Sequence, residues 1–231
     1  MSSAKDTFRN KSLISGTRLL ALLAIGVVSA SVGAAPVIYS QPENGVTGTS
    51  SQSGVPSIAY DDFTFANGAT ITDLHWHGLF TTGAETTVIS GFTVQFWNTT
   101  AGLPGSAASA AQSFVGNAGQ SNPHACEGTL CFDYSVDLTT PFTAAAGTRY
   151  WVSIVPTLAF PPTQWFWESG SGGNGVSVVD FQGTRITQTF DMAFDLTGTA
   201  GGGGVVPEPA TLALLGLGLA GLGVSRRRKV G

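Results

Sequence analysis

Between residues 36 and 225 the chain contains no lysine and only two arginines, Arg149 and Arg185, against 13 aspartates and glutamates. A stretch carrying net charge −11 repels phosphate backbones, so nucleic-acid binding is disfavoured. Cysteine is nearly as scarce, with Cys126 and Cys131 the only two in 231 residues. Four intervening residues are two too many for a redox motif, and His124 nearby adds too few ligands for a zinc site. The pair reads as a local disulfide across a turn at Gly128, formed in an oxidising compartment. So small a loop contributes about 2 kcal/mol by chain-entropy arithmetic, enough to pin a loop but not to hold a domain. No amphipathic helical period occurs before residue 210. A G-x-S-x-G nucleophile elbow and a D-x-D-x-D-G calcium loop are also missing. Nothing supports nucleophilic catalysis, and the chain is not expected to be an enzyme.

What is present is alternation with period two. Leu130, Phe132, Tyr134, Val136 and Leu138 face one way, while Cys131, Asp133, Ser135 and Asp137 face the other. Phe92, Val94 and Phe96 repeat the pattern, as do Tyr150, Val152 and Ile154, and then Phe190, Met192, Phe194 and Leu196. Half-buried strands punctuated by Gly, Pro and Asn predict an all-β fold, an antiparallel β-sandwich or jelly roll, over residues 57–198. Residues 35–56, rich in Ser, Gly, Thr, Gln and Pro, are expected to form an irregular lead-in. Residues 102–120 are expected to form a long surface loop. The glycine-rich residues 199–206 read as a flexible linker.

The two ends hold eight of the ten basic residues. Lys5, Arg9, Lys11 and Arg18 precede an apolar run at 19–28, and small residues Val32-Gly33-Ala34 follow. That order is a secretory signal peptide over residues 1–34, to be cut by signal peptidase after Ala34; the run is too short for an uncleaved anchor. At the other end Pro207-Glu208-Pro209 is followed by an apolar run at 210–224 and then Arg226-Arg227-Arg228-Lys229. As a transmembrane-type helix the run spans roughly 22 Å, short of the roughly 30 Å hydrocarbon core. A transient inner-membrane anchor suits this length better than a permanent span. Gly216, Gly218 and Gly221 spell G-x-G-x-x-G, but no strand precedes them and no crossover follows, so they are not a dinucleotide site.

The segment 207–231 resembles the PEP-CTERM sorting signal of Gram-negative, exopolysaccharide-producing bacteria. Proline-flanked glutamate, apolar run and basic tail stand in that family's order. The resemblance implies recognition at Pro207, Glu208, Pro209, Arg226, Arg227 and Arg228 by an exosortase-type transpeptidase. It also implies export through the inner membrane to the cell surface or extracellular matrix. The middle of the chain resembles the β-sandwich ectodomains often found ahead of such signals. That likeness rests on Asp61-Asp62-Phe63, on Gly68-Ala69-Thr70-Ile71-Thr72 leading to Trp76, on 92–97, on 146–154 and on Trp165-Phe166-Trp167. It implies an architecture and no established activity.

Three constellations could carry chemistry. His75 and His77 share one face of a strand, a spacing that can grip a metal and that is similar to the opening of the cupin motif. The glutamate that motif requires three or four residues later is absent, since Glu85 comes too late, so the two histidines are weak metal candidates and a polar strand face is the plainer reading. Asp133 with Asp137, Asp191 with Asp195, and Asp61 with Asp62 admit a structural Ca²⁺ but are usually a strand's wet face. No other cofactor is expected. Trp165 and Trp167 share a face and could stack on sugar rings from an edge strand, or else fill the core. The expectation is an exported structural or adhesive component of the envelope, contacting exopolysaccharide. The alternative is a secreted carbohydrate-binding module using Trp165, Trp167 or Trp97, and behind it a metal-dependent or hydrolytic secreted enzyme.

Overall fold

The computed structural model describes residues 34–80, 89–126, 129–158 and 164–202. Residues 1–33 of the expected signal peptide and the sorting segment at 207–231 lie outside the described residues, as do Glu85 and the turn at Gly128. The described residues contain strands and no helix, so none is long and apolar enough to cross a membrane.

Among the described residues fifteen strands form two antiparallel sheets. The first comprises β1 (Val37–Gln41), β2 (Glu43–Ser50), β4 (Ala69–Phe80), β8 (Ser121–Cys126), β9 (Thr129–Ala144), β11 (Trp165–Gly170), β14 (Asp191–Met192) and β15 (Phe194–Ala200). The second comprises β3 (Ser57–Thr64), β5 (Ile89–Thr100), β6 (Leu103–Ala107), β7 (Gln112–Val115), β10 (Arg149–Leu158), β12 (Ser177–Phe181) and β13 (Thr184–Gln188).

Strand β4 organises the first sheet. One edge pairs with β9 from Ala69 to Leu79, and the other is shared by β15 and β11. Its alternation sends Leu74, Trp76 and Phe80 inward and His75 and His77 outward, as the sequence pattern predicts. In the second sheet β10 lies between β3 and β5. The core between the sheets is aromatic: Trp76, Trp165, Trp167, Phe63, Phe96 and Phe194 are all at 1% exposure or less. Phe96 and Phe142 stack with ring centroids 4.3 Å apart, and Trp76 stacks on Tyr134 at 5.7 Å. Gly78 sits where any side chain would stand inside the Trp165 indole, so the close approach of β11 to β4 requires glycine there.

Two expectations are corrected. Residues 35–56 are not an irregular lead-in: β1 pairs with β15, and β2 adds to the outer edge of β11. Pairing overrides the weak strand propensity of Asn44-Gly45 and Gly48. The stretch at 102–120 is not one loop either, since β6 and β7 fold back onto β5. Of the linker, Thr199 and Ala200 complete β15, while 203–206 lie outside the described residues.

Candidate functional site

The indoles of Trp165 and Trp167 point into the sandwich at 0% exposure, so neither offers a face to a ligand. Strand β11 is interior, flanked by β4 and β2, rather than at an edge. Each indole N–H is satisfied internally, Trp165 donating to the Tyr134 hydroxyl at 3.3 Å and Trp167 to the Ala193 carbonyl at 2.8 Å. The stacking role is therefore replaced by a packing role. Cys126 and Cys131 are joined by a disulfide, which ties β8 to β9.

The two histidines of β4 part company. His75 is exposed and lies 3.2 Å from Asp73, beside it on the same strand. His77 is opposite Asp133 of β9 in register, and its Nδ1 is 3.0 Å from Asp133 Oδ1. A second carboxylate, Glu43 at the start of β2, stands 3.5 Å from the same nitrogen. Glu43 Oε2 also meets His124 Nε2 at 2.7 Å. His124 belongs to β8 and lies across from Cys131, so the disulfide two residues on holds the strand that presents it. Its Nδ1 sits 2.8 Å from the Asn122 carbonyl, which can only accept, so Nδ1 carries the proton and Nε2 faces the cluster.

Glu168 completes the group from β11. Trp167 turns inward and Glu168 outward, yet Glu168 is at 0% exposure because β2 and the disulfide hairpin cover it. Neither of its oxygens has a hydrogen-bond partner. A bulge in the β2–β11 pairing, between Glu168 and Gly170, brings Glu43 opposite Gly170. Asn44 holds that end of β2 by donating to the Gly170 carbonyl at 2.7 Å, and the chain turns at Gly45 with φ +66°. Leu79, Phe166 and the two cysteines pack as a small apolar cluster on this face. The result is an open pocket of about 260 Å³ lined by Glu43, Asn44, Gly45, His124, Cys126 and Glu168.

Burial, and then the Glu43 carboxylate beside it, push Glu168 up to about 7, with His124 pulling the other way. Burial works against charge on His124, but the Asn122 carbonyl and the Glu43 and Asp133 carboxylates outweigh it and raise its pKa. The donor atoms of Glu43, His77 and His124 all lie within 4.8 Å of one another, a spacing that can hold a cation. A second set, His124, Cys131 and Glu168, is equally close, but Cys131 is oxidised and offers no thiolate.

Asp61, Asp62, Asp73 and Asp191 are used by the fold. Asp62 takes a bidentate pair from Arg149, at 2.7 and 2.6 Å, and the Asn174 amide. Asp191 accepts the amides of Gly173, Gly175 and Val176. Asp61 accepts the Met192 and Asp62 amides. Asp73 accepts the hydroxyls of Thr72 and Thr197. Of the site residues, sequence reading named His77 and noted His124 but missed Glu43 and Glu168. The only signal for Glu168 is a carboxylate directly after the core tryptophans Trp165 and Trp167.

Taken together, a disulfide-bonded β-sandwich without lysine is the kind of domain that works outside the cytoplasm. Residues 205–229 match the PEP-CTERM protein-sorting motif, so this is an exported, membrane-transiting protein processed by an exosortase. Residues 37–197 match the family described as a domain of unknown function, DUF7901, and the chain belongs to that family. A comparison with curated proteins finds no significant match.

Proposed function

We infer that the exported sandwich is a structural or adhesive component of the cell surface or extracellular matrix, released from its membrane intermediate by exosortase and contacting exopolysaccharide. The observation that carries this reading is the sorting motif at 205–229 behind a single stapled β-sandwich. Two further features support it. The acidic surface resists nonspecific attachment to nucleic acid, and Asp61, Asp62 and Asp191 are bound up in the fold rather than arranged for acid–base work. The reading is non-enzymatic.

The carbohydrate-binding alternative survives only at Trp97, which keeps part of its surface exposed beside Tyr60 and Trp151 on the outside of the second sheet. Its indole donates to Ser153 Oγ at 2.9 Å, so the ring is held in place. Cell fractionation of the native host tests the sorting half. Deleting residues 207–231 should move the protein from the envelope to the medium, and unchanged membrane retention would refute it. For the second half, the purified protein should co-sediment with host exopolysaccharide. If Trp97→Ala abolishes that binding, the carbohydrate-module reading replaces the structural one.

A further inference from the structure

The pocket on the outer face of the first sheet is lined by Glu43, His124 and Glu168, and His77 and Asp133 adjoin it through their contacts with Glu43 and with each other. The arginines of the ectodomain are engaged elsewhere. Arg149 is held by Asp62, while Arg185 lies on Asp180 and the Pro104 carbonyl. Five strands contribute to this group, β2, β4, β8, β9 and β11, with the β8 donor fixed by a disulfide. Most telling is Glu168, fully buried with neither oxygen partnered, on the floor of the pocket. A buried carboxylate without a donor is costly unless something positive reaches it.

We propose that Glu43, His77 and His124 form a binding site for a divalent transition-metal ion of the zinc type, with the Glu168 carboxylate, within 4.8 Å of the His124 donor atom, completing its surroundings from below. Two donors about 2.0–2.1 Å from a tetrahedral zinc lie roughly 3.3 Å apart. The Glu43 oxygen lies 2.7 Å from His124 Nε2 and 3.5 Å from His77 Nδ1, which brackets that spacing. The outer contacts agree as well. The Nδ1–H of His124 donates to the Asn122 carbonyl, which leaves Nε2 as the ligand atom and holds the ring's orientation. Asp133, anchored by the Asn122 amide at 2.8 Å, meets the same His77 Nδ1 at 3.0 Å and so stands beside the ion's position. Two imidazoles favour a borderline ion over calcium or magnesium, which prefer all-oxygen sites. Such an ion would join the β2 edge to the β8–β9 hairpin through side chains.

The test uses the full chain in detergent, stripped with a chelator and titrated with ZnCl₂ by calorimetry, alongside His75→Ala, His124→Ala and Glu168→Gln. The expected result is one zinc per chain, bound at least about tenfold more weakly by His124→Ala and Glu168→Gln and unchanged by His75→Ala. Glu168→Gln keeps the side chain's size, so it decides the matter if His124→Ala does not fold. Cobalt should bind with the visible absorption of a four-coordinate ion. No zinc uptake by the wild type, uptake of calcium in its place, or full-strength zinc binding by Glu168→Gln would each overturn the proposal.

Discussion

Two carboxylate clusters sit in the same sandwich and are treated differently. Around Asp61, Asp62 and Asp191 the oxygens meet a guanidinium, an amide side chain and a row of backbone N–H groups. Among the described residues no arginine or lysine pairs with Glu43 or Glu168, and neither oxygen of the deeper carboxylate makes a well-formed hydrogen bond. The first cluster closes the fold: it ties β3 to β10 and to the loop before β12. The second is incomplete as protein alone, which marks it as a place where something else binds. Proximity of acids does not distinguish the two; the bookkeeping of their partners does.

The largest effect should come from breaking the satisfied cluster. Asp62→Ala leaves Arg149 and Asn174 without their acceptor and should cost about 3 kcal/mol, read by urea unfolding. The mirror experiment has the opposite sign. In metal-free protein at pH 8, Glu168→Gln removes a buried charge with no donor and should gain about 1–2 kcal/mol.

A pH series sharpens the contrast. Glu168 titrates near 7 in the folded protein against an ordinary 4.5, so the favourable contribution of its protonated form is complete below about pH 4.5. That contribution is lost as pH rises through about 7. The metal-free melting temperature should therefore fall across this window, and less steeply in Glu168→Gln. Asp61, raised well above its usual value by burial, and His124, raised by the Asn122 carbonyl and its neighbouring carboxylates, act with the same sign and add to the slope. The smallest effect is expected at His75, exposed and paired only with Asp73, where alanine should change stability by less than about 0.5 kcal/mol.

Much of the fold is legible in the sequence because its strands are half-buried and their side chains alternate. Leu74, Trp76 and Phe80, and Phe132, Tyr134 and Val136, take the faces that period two assigns them. The cysteine pair is legible by spacing alone. Strands β1 and β2 are not, because their residues are polar and glycine-rich, and they become strands through partners at Thr197 and Trp167 that lie far along the chain. The site is harder still. Glu43, His77, His124 and Glu168 come from four separated segments, and only the sheet order brings Glu43 and His77 to one side of His124 and Glu168 close to it as well. The i, i+2 spacing of His75 and His77 is a local signal that points to the wrong pairing. Likewise, Trp165 and Trp167 do share a face, but the position of β11 inside the sheet makes that face the core.

Intact mass spectrometry of the protein from its native host tests the central claim, export and sorting of a disulfide-bonded sandwich, most directly. The account predicts a polypeptide beginning at Ala35, ending near Pro207–Pro209 and carrying Cys126 and Cys131 oxidised. A full-length chain recovered from the cytosol, with both ends uncut and both thiols free, would contradict it.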